Sequence, residues 1–482
     1  MSFWITLVLS SLHALLLIAV TIRVLWRDDM TPPARLAWFI VVTVLPYFGV
    51  VIYVLFGEAR LQSTFLRRHS EVWEEIKTSA GPFLTCPVAA QRELNPLYEP
   101  PFRFAASVTP FGLTVGNRTQ LLKDGDTVRA RMIEDIDNAK EHVHVLYYIW
   151  LGDQTGTETA KALIRAAKRG VTCRAMADSL GSSAFIRSET WQQMKEAGVD
   201  VVPMLPIGNL IRTLLFSRLD LRNHRKITVV DGRITYCGSN NCADEAFAVK
   251  ARYAPWVDIM VRVEGPVAAQ NLVLFASDWM LHREEAKFSD FELIKEPHPE
   301  GIPAQVYASG PTEATGSTPQ LFASLMGQAR RELVVTTPYF VPDPTVLDAV
   351  MAAARRGVEV TLVFPKKNDS WIVAAVSHSY YRRLLDAGIH IYEFRDGLLH
   401  AKTLTVDGCV TMMGSSNMDL RSFDLNYEND MLFEDEALTC AIRSRQEAYI
   451  RRSDPVTMND VRRWSRLARI RNNVIATAGP IL

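Results

Sequence analysis

The sequence lacks an excess of charge of either sign, and it has few cysteines. Its 482 residues carry 53 Lys and Arg and 53 Asp and Glu, so the formal net charge at pH 7 is zero. A chain without an overall basic field gives no argument for nucleic acid as a partner. The six cysteines include no C-x-x-C pair and form neither a zinc set nor a convincing disulfide framework. This cysteine usage favours a reducing compartment.

Motifs of metal-dependent and nucleotide-dependent catalysis are also missing. The sequence has no H-E-x-x-H segment and no P-loop, and Gly310–Ser317 resembles a P-loop but has no lysine. We therefore expect neither a metal nor a cofactor. The length is sufficient for two or three domains with a sizeable core.

One six-residue pattern is present instead, and it occurs twice, once in each half of the chain. Both copies fit H-x-K-x4-D-x6-G-S-x-N with identical spacing. Six fixed positions recur by chance on the order of once in ten million starts, so duplication explains the pair. The residues are His224, Lys226, Asp231, Gly238, Ser239 and Asn241 in the first copy, and His400, Lys402, Asp407, Gly414, Ser415 and Asn417 in the second.

Each copy is predicted to lie on a β-hairpin. Lys226–Val230 and Lys402–Val406 have the composition of strands, which place a histidine and the lysine two residues later on one face. Asp231-Gly232 and Asp407-Gly408 are typical of the hairpin turn. A returning strand then delivers the Gly-Ser-x-Asn element. Two such units facing each other would build one pocket.

The doubled set suits attack on a phosphodiester. One neutral imidazole attacks phosphorus while the other, protonated, donates to the departing alkoxide, and the second step reverses the role of the second histidine. Lysine and asparagine side chains would hold the non-bridging oxygens, as metals do elsewhere. The predicted catalytic residues are His224, Lys226, Asp231, His400, Lys402 and Asp407. The predicted phosphate-binding residues are Asn241, Asn417, Ser239 and Ser415.

Two kinds of residue in this set have competing interpretations. The aspartates Asp231 and Asp407 fit hairpin and hydrogen-bonding roles better than direct participation. Ser239 and Ser415 fit a plain turn role as well as they fit phosphate binding. Two buried, hydrogen-bonded histidines in hairpins would be the structural alternative, but the doubled pattern argues against it.

The N-terminus contains two long uncharged runs, Phe3–Ile22 and Leu36–Phe56, of 20 and 21 residues. About 20 residues span the hydrocarbon core, so two transmembrane helices are predicted, with the N-terminus and everything after residue 57 on the same side. A signal peptide fits poorly because no basic region precedes the first run. Pro46 and Gly49 leave a re-entrant hairpin open for the second run. Arginines flank both ends of the second run, so charge does not decide sidedness.

The rest of the chain divides into a linker at 58–105 and two α/β repeats at 106–295 and 296–482. His142–Trp150 and Glu332–Thr337 are predicted to be equivalent buried strands, and the segments AAKRGV and AARRGV follow at the same place in each repeat. This alternation indicates βαβ units around mostly parallel sheets. Asp460–Arg471 has a basic amphipathic helix pattern, which fits either an anionic membrane surface or packing on the second repeat.

Together these features resemble the phospholipase D superfamily, in which two H-K-D motifs share one active site, and within it the bacterial cardiolipin synthases. The resemblance covers nearly the whole chain and is much more specific than the H-K-D pattern, which nucleases also carry. It rests on the N-terminal runs and on the peptides Tyr53–Glu58, Arg222–Lys226, Thr337–Pro342, Leu399–Lys402 and Asn417–Phe423.

The resemblance implies a two-lobed phospholipase D-like α/β fold with duplicated α/β/α repeats, preceded by two transmembrane helices in a bacterial inner membrane, with the catalytic part cytoplasmic. It implies that one phosphatidylglycerol loses glycerol to form a phosphatidyl-histidine, which a second phosphatidylglycerol resolves to cardiolipin. By analogy His224 is the nucleophile and His400 the acid and base. Glu428 and Asp258 would each orient one imidazole, with surface or structural roles as the alternative. Asn240 stands where the family often has an apolar residue, and Asn241 keeps the aligned spacing.

Several alternatives stay open. Water instead of a lipid hydroxyl would make the protein a hydrolase producing phosphatidic acid, and another donor or acceptor such as phosphatidylethanolamine would change the product. A nuclease is disfavoured by the neutral charge, and a non-enzymatic scaffold by two intact motifs. Cardiolipin synthesis from a CDP-linked donor normally comes with a D-G-x-x-A-R pattern. The Asp-Gly pairs that begin at Asp231 and Asp407 are not followed by Ala-Arg, so this chemistry is set aside. Phosphatidylglycerol, other anionic phospholipids and the membrane are the expected partners; the oligomeric state, including a homo-oligomer, is open.

Overall fold

The N-terminal region of the chain is helical. A computed structural model describes residues 2–27, 30, 32–45, 47–57, 61, 63–84, 94–206, 221–294 and 300–477. Within these residues, five helices precede the first strand: α1 (Ser2–Trp26), α2 (Pro32–Val44), α3 (Phe48–Phe56), α4 (Ser63–Leu84) and α5 (Glu99–Val108).

The first repeat alternates strands and helices before it reaches the first H-K pair. Its elements are β1 (Thr114–Leu121), α6 (Gly125–Asn138), β2 (His142–Tyr147), α7 (Gln154–Lys168), β3 (Thr172–Asp178), α8 (Ser183–Ile186), α9 (Glu189–Glu196), β4 (Asp200–Met204), β5 (Arg222–Asn223), β6 (Lys226–Val230), β7 (Ile234–Gly238), a 3-10 helix (Ala248–Tyr253), β8 (Trp256–Val257), β9 (Met260–Glu264), α10 (Val267–His282) and a 3-10 helix (Phe288–Asp290).

The second repeat follows the same order. Its elements are β10 (Ile302–Ser309), α11 (Ser317–Gln328), β11 (Glu332–Thr336), β12 (Phe340–Val341), α12 (Pro344–Arg355), β13 (Glu359–Pro365), α13 (Trp371–Asp386), β14 (His390–Phe394), β15 (Leu398–Leu399), β16 (Thr403–Val406), β17 (Val410–Gly414), β18 (Met418–Asp419), α14 (Leu420–Asp424), β19 (Asn426–Glu434), α15 (Glu436–Arg451), β20 (Ser453–Val456), α16 (Met458–Arg463) and α17 (Arg466–Thr477).

One sixteen-stranded sheet joins the two repeats in the described part of the chain. Its order is β20-β14-β13-β11-β16-β17-β19-β10-β1-β9-β7-β6-β2-β3-β4, with β5 pairing to β19. Reading outward from the central antiparallel pair β1–β10, the strands of the two repeats follow in the same order. The duplication seen in the sequence is therefore an approximate two-fold relation between two lobes.

The expectation of mostly parallel sheets was wrong. Only β2-β3-β4 in the first lobe and β11-β13-β14 in the second form parallel triplets. The strands that carry the repeated motif return through tight turns, and such hairpins are antiparallel. Each lobe therefore combines a parallel outer section, covered by crossover helices, with an antiparallel inner section beside the site.

The predicted linker contains two helices that pack on the lobes. In α4 the apolar positions Val72, Ile76 and Ala80 are buried in the same core as α10. In α5 the side chains of Phe102 and Ala105 join the core of the second lobe. Residues 85–93 of this stretch, which include Pro87, lie outside the described residues.

The second apolar run does not form one helix of spanning length. It forms α2, of 13 residues, which ends at Val44, and α3, of nine, which begins at Phe48. The sequence between the two helices includes Pro46, which lies outside the described residues; proline has no backbone N–H with which to continue a helix. Among the described residues one helix is long and apolar enough to cross a membrane, within Trp4–Trp26, with a mean hydropathy of 2.3.

The C-terminal basic stretch is divided as well. The amphipathic pattern predicted over Asp460–Arg471 is split between α16 and α17 at Trp464. The Trp464 ring lies 5.2 Å from that of His378 on α13, so the break is anchored on the second lobe. Along α17 the apolar side chains of Leu467, Ile470 and Val474 remain exposed.

Candidate active site

Each motif histidine is positioned by backbone pairing with the opposite lobe. The short strand β5, just before His224, pairs in parallel with the start of β19, and the His224 amide donates to the Tyr427 carbonyl at 2.9 Å. The short strand β15, just before His400, pairs with β8, and the His400 amide donates to the Val257 carbonyl at 2.8 Å. The two histidines thus sit at the junction of the lobes in equivalent settings.

The two predicted carboxylates lie against the imidazoles, and each comes from the other lobe. Nδ1 of His224 is 2.8 Å from Oε2 of Glu428, and Nδ1 of His400 is 2.6 Å from Oδ1 of Asp258. A carboxylate only accepts hydrogen bonds, so Nδ1 of each ring carries the proton that it donates. The other ring nitrogen, Nε2, is then the atom left to attack phosphorus or to exchange a proton.

Burial favours the neutral form of both imidazoles. It lowers the pKa of His224 to about 4; Glu428 opposes this shift, and Lys226 and Lys402 add to it. Burial also lowers the pKa of His400, with both lysines acting in the same direction and Asp258 opposing them. Since each lysine acts on both rings, the two motifs form a single electrostatic site. A neutral imidazole is the form that a nucleophile requires.

The two lysines are buried, and no carboxylate of the described part of the chain is in hydrogen-bond contact with them. Each Nζ donates to a histidine carbonyl, Lys226 to His224 at 2.6 Å and Lys402 to His400 at 2.7 Å. Burial lowers the pKa of Lys226 to about 8 and that of Lys402 to about 7. An anion bound between them would recover part of this cost, because an opposite charge favours the protonated amine. The site is therefore built to accept a negative group.

The predicted asparagines have unused hydrogen-bonding capacity. Within the described residues, the side-chain oxygens of Asn241 and Asn417 are buried and have no hydrogen-bond partner. The side-chain oxygen of Asn240 is in the same situation. Nδ2 of Asn417 is 3.3 Å from Oγ of Ser422. Rotation of an amide presents its NH2 group instead of its oxygen, so these side chains can reach a phosphate oxygen. Neither asparagine is bonded to a motif histidine.

The serine hydroxyls of the two motifs are engaged with the carboxylates beside the imidazoles. Oγ of Ser239 donates to Asp258 at 2.6 Å and accepts from the Ile259 amide at 3.2 Å. Oγ of Ser415 accepts from the Asn429 amide at 2.8 Å and also hydrogen-bonds Glu428. Each serine therefore holds a carboxylate that contacts a motif imidazole, which favours a structural role, and phosphate binding by Ser239 and Ser415 stays a prediction.

The motif aspartates are structural. Asp231 accepts from the backbone amides of residues 140–142, and Asp407 from those of residues 330–332 and from the Tyr98 hydroxyl. Both have left-handed backbone conformations, with φ of 49° and 54°, at the hairpin turn. They tie each hairpin to the strand before it, which fits the hairpin and hydrogen-bonding role better than direct participation; their inclusion in the catalytic set stays a prediction.

Sequence reasoning missed a second set of contacts around the histidines. The Tyr148 ring meets His224 edge-on at 5.1 Å, and the Trp256 ring lies 4.7 Å from His400. Behind Glu428, Nε of Arg225 donates to its carbonyl at 3.2 Å. The charge of Arg225 is balanced by Asp278, at 2.7 Å. A usable signal was present, since Asp278 is the one acidic residue in the otherwise uncharged helix α10.

No group of three or more His, Cys, Asp or Glu side chains that could hold a metal ion occurs among the described residues. The donors at the site centre are imidazoles and ammonium groups, together with two carboxylates already engaged by histidines. These groups suit an anion.

Comparisons with known proteins agree with this geometry. The family described as cardiolipin synthase, PLD-like domain, matches residues 132–279 and 322–449, and the phospholipase D-nuclease N-terminal family matches residues 15–58. The chain is 35% identical over 473 residues to cardiolipin synthase A of Proteus mirabilis, covering 97% of this chain and 96% of the relative. It is 36% identical over 450 residues to cardiolipin synthase A of Serratia proteamaculans, covering 91% and 90%.

A solved structure shares the fold. Phosphatidylserine synthase of Haemophilus influenzae superposes with a TM-score of 0.58 at 16% identity, over 76% of this chain and 95% of that one. The N-terminal family match and the apolar helix α1 make this a membrane-associated protein. With two H-K-D motifs in one site and near-complete coverage of its relatives, the chain belongs to the cardiolipin synthase family of phospholipase D-like proteins.

Proposed function

We propose that the protein is a phosphatidyltransferase that makes cardiolipin and glycerol from two molecules of phosphatidylglycerol. The observation that carries this proposal is the pair of buried imidazoles, each hydrogen-bonded to a carboxylate of the opposite lobe and each under the influence of both lysines. The names of the relatives, cardiolipin synthase A, supply the substrate class.

In the first step Nε2 of His224 attacks phosphorus of the donor lipid. The P–N bond forms, the P–O bond to the glycerol headgroup breaks, and His400 gives its Nε2 proton to the departing oxygen. The bound phosphodiester is an anion, so its presence raises the pKa of His400 and favours the protonated form that this step needs. Lys226, Lys402 and the asparagine amides hold the non-bridging oxygens.

In the second step His400, now neutral, takes the proton from a headgroup hydroxyl of a second phosphatidylglycerol. That oxygen attacks phosphorus, the P–N bond breaks, and His224 is released neutral, with its Nδ1 proton still directed at Glu428. The products are cardiolipin and the glycerol lost in the first step, and both histidines return to their starting protonation states.

The membrane arrangement is also a proposal. Residues 1–57 form the membrane unit with α1 crossing the bilayer, residues 58–105 connect it to the lobes, and the lobes occupy 106–295 and 296–482 at the cytoplasmic face of a bacterial inner membrane. Unpaired cysteines, including the exposed Cys440, support a reducing compartment. The exposed apolar stripe of α17, flanked by arginines, fits contact with anionic lipids such as phosphatidylglycerol.

The test is mass spectrometry of lipid products after purified protein is incubated with phosphatidylglycerol alone, in the presence of a chelator. Cardiolipin with an equal amount of glycerol supports the proposal. Phosphatidic acid would instead identify a hydrolase, and product only after phosphatidylethanolamine is added would identify a different donor or acceptor. Exchange of the exposed His390 for alanine is the matched control, since this histidine lies outside the site.

A further inference from the structure

The helices α2 and α3 form a tight antiparallel hairpin. The rings of Trp38 and Tyr53 are 5.2 Å apart, although 15 residues of continuous helix would separate them by about 22 Å. A Cβ atom at Gly49 would lie 2.4 Å from the carbonyl oxygen of Val41, so only glycine permits this approach. The chain therefore turns back on itself within the second apolar run.

Contacts with α1 fix where the hairpin starts, turns and ends. At the tip, the Tyr47 hydroxyl donates to the Leu9 carbonyl at 2.6 Å, and its ring lies 5.3 Å from that of His13. At the other end, the Arg27 guanidinium donates to the Gly57 carbonyl. The end of α3 is thus beside the C-terminal end of α1, where α2 also begins.

Neither arm of the hairpin has the length to cross a bilayer. Thirteen and nine helical residues extend over about 20 Å and 14 Å, whereas the hydrocarbon core is about 30 Å thick. The 25 residues of α1 extend over about 38 Å, which is sufficient. Non-helical backbone at membrane depth is tolerated where protein covers it, and the tip at Tyr47 packs on α1.

We propose that α2–α3 is a re-entrant hairpin that enters and leaves the bilayer on one side, so that the chain crosses the membrane once. The surface that meets lipid is the outward face of α1, α2 and α3, where Leu15, Leu25, Phe39, Phe48 and Val51 are exposed. The N-terminus and the lobes then lie on opposite sides of the membrane. This replaces the arrangement with two spans, in which they lie on the same side.

The single crossing also decides the sidedness that charge left open. With two spans, arginines lie on both sides of the membrane and nearly balance. With a re-entrant hairpin every arginine in the segments that connect and follow these helices lies on the side of the lobes. These residues are Arg23, Arg27, Arg35, Arg60, Arg67 and Arg68. Short flanking segments rich in arginine stay in the cytoplasm, so the lobes face the cytoplasm and the N-terminus faces outward.

The test is labelling with a membrane-impermeant maleimide in intact spheroplasts. The background is the full chain with Cys86, Cys409 and Cys440 replaced by serine. Three single-site proteins are compared: Ser2→Cys at the first residue of α1, Met30→Cys between α1 and α2, and a protein in which the native, exposed Cys440 is kept as the marker of the lobes. Each protein is labelled before and after permeabilisation.

A single crossing predicts that Ser2→Cys is labelled in intact spheroplasts and that Met30→Cys and Cys440 are labelled only after permeabilisation. Protection of Ser2→Cys and Cys440 with labelling of Met30→Cys would establish two spans and overturn the proposal, and protection of Ser2→Cys alone would overturn the assigned orientation. Protection or labelling of all three together would mean that the chain does not cross, which also overturns it.

The proposal rests on membrane association and not on the phosphatidyl transfer. Labelling requires no turnover, so the three proteins are assayed in parallel for cardiolipin formation. Loss of the expected labelling pattern with normal cardiolipin formation refutes the topology alone. The expected pattern without cardiolipin formation refutes the proposed reaction alone.

Discussion

Replacing each motif histidine in turn by asparagine distinguishes the histidine that acts as nucleophile from the histidine that acts as proton donor. In the His400→Asn variant the amide NH2 can still donate to Asp258, which lies 2.6 Å from Nδ1 of the native ring. This matters because an uncompensated buried carboxylate destabilises a fold by about 3–5 kcal/mol. The His224→Asn variant keeps a donor for Glu428 in the same way. Both variants therefore lose a titratable nitrogen and retain the contact between the lobes.

The expected magnitude depends on the leaving group. Glycerol needs a proton as it leaves, so His400→Asn should lower cardiolipin formation by about 10²- to 10⁴-fold, which corresponds to about 3–5 kcal/mol of activation free energy. A phosphatidyl ester of p-nitrophenol leaves without a proton. With that substrate His400→Asn should release about one nitrophenol per protein and then stop, because the second step lacks its base. His224→Asn should release none, because no covalent intermediate forms.

The assay is rapid-mixing absorbance of nitrophenolate, with thermal unfolding of both variants as the control for folding. A burst from His224→Asn and none from His400→Asn would reverse the roles of the two histidines. A burst from both variants, or from neither while both remain folded, would refute a mechanism with one histidine nucleophile and one histidine acid.

Four further results are expected. Ser239→Ala removes the hydroxyl donor to Asp258, so kcat should fall about 10-fold with KM unchanged, measured by glycerol release. Asp231→Ala removes the acceptor of three backbone amides and should lower stability by about 1–3 kcal/mol in chemical denaturation, with kcat/KM of the folded fraction retained. The pKa of Lys402 is lowered to about 7, so its charge is lost as pH rises through 7; kcat/KM should fall over that range, and Lys402→Gln should flatten the profile. A polarity-sensitive fluorophore on Leu467→Cys should shift to shorter wavelength in vesicles with phosphatidylglycerol but not in neutral ones, and an unchanged spectrum would exclude lipid contact by α17.

Local features of the fold were accessible from the sequence. The predicted strands His142–Trp150 and Glu332–Thr337 correspond to β2 and β11, with ends that differ by three residues and one. Both motif hairpins form where the Asp-Gly turns place them. These elements are set by alternation, turn residues and helix periodicity, which act within a few positions along the chain.

Long-range features were not accessible. The pairing of β5 with β19 and of β15 with β8 joins segments far apart in the sequence, and no local pattern encodes that register. For this reason the sequence suggested Glu428 and Asp258 as orienting residues without indicating which imidazole each serves. The contacts of the Ser239 hydroxyl follow from the same long-range register. Pro46 and Gly49 indicated that the second apolar run could be interrupted. The return of α3 along α2, however, depends on packing against α1, which no local pattern encodes.

The exchange of carboxylates between lobes makes each half of the chain an incomplete catalyst. His400 depends for its orientation on Asp258, 142 residues earlier, and His224 depends on Glu428, 204 residues later. A substitution of the carboxylate in one lobe therefore changes the basicity of the motif histidine in the other lobe. The two halves of the chain are constrained to vary together. A fragment that ends between the lobes would carry a histidine, a lysine and a carboxylate meant for a ring that is absent. Activity would return only when the missing half is supplied, so that two inactive fragments restore each other.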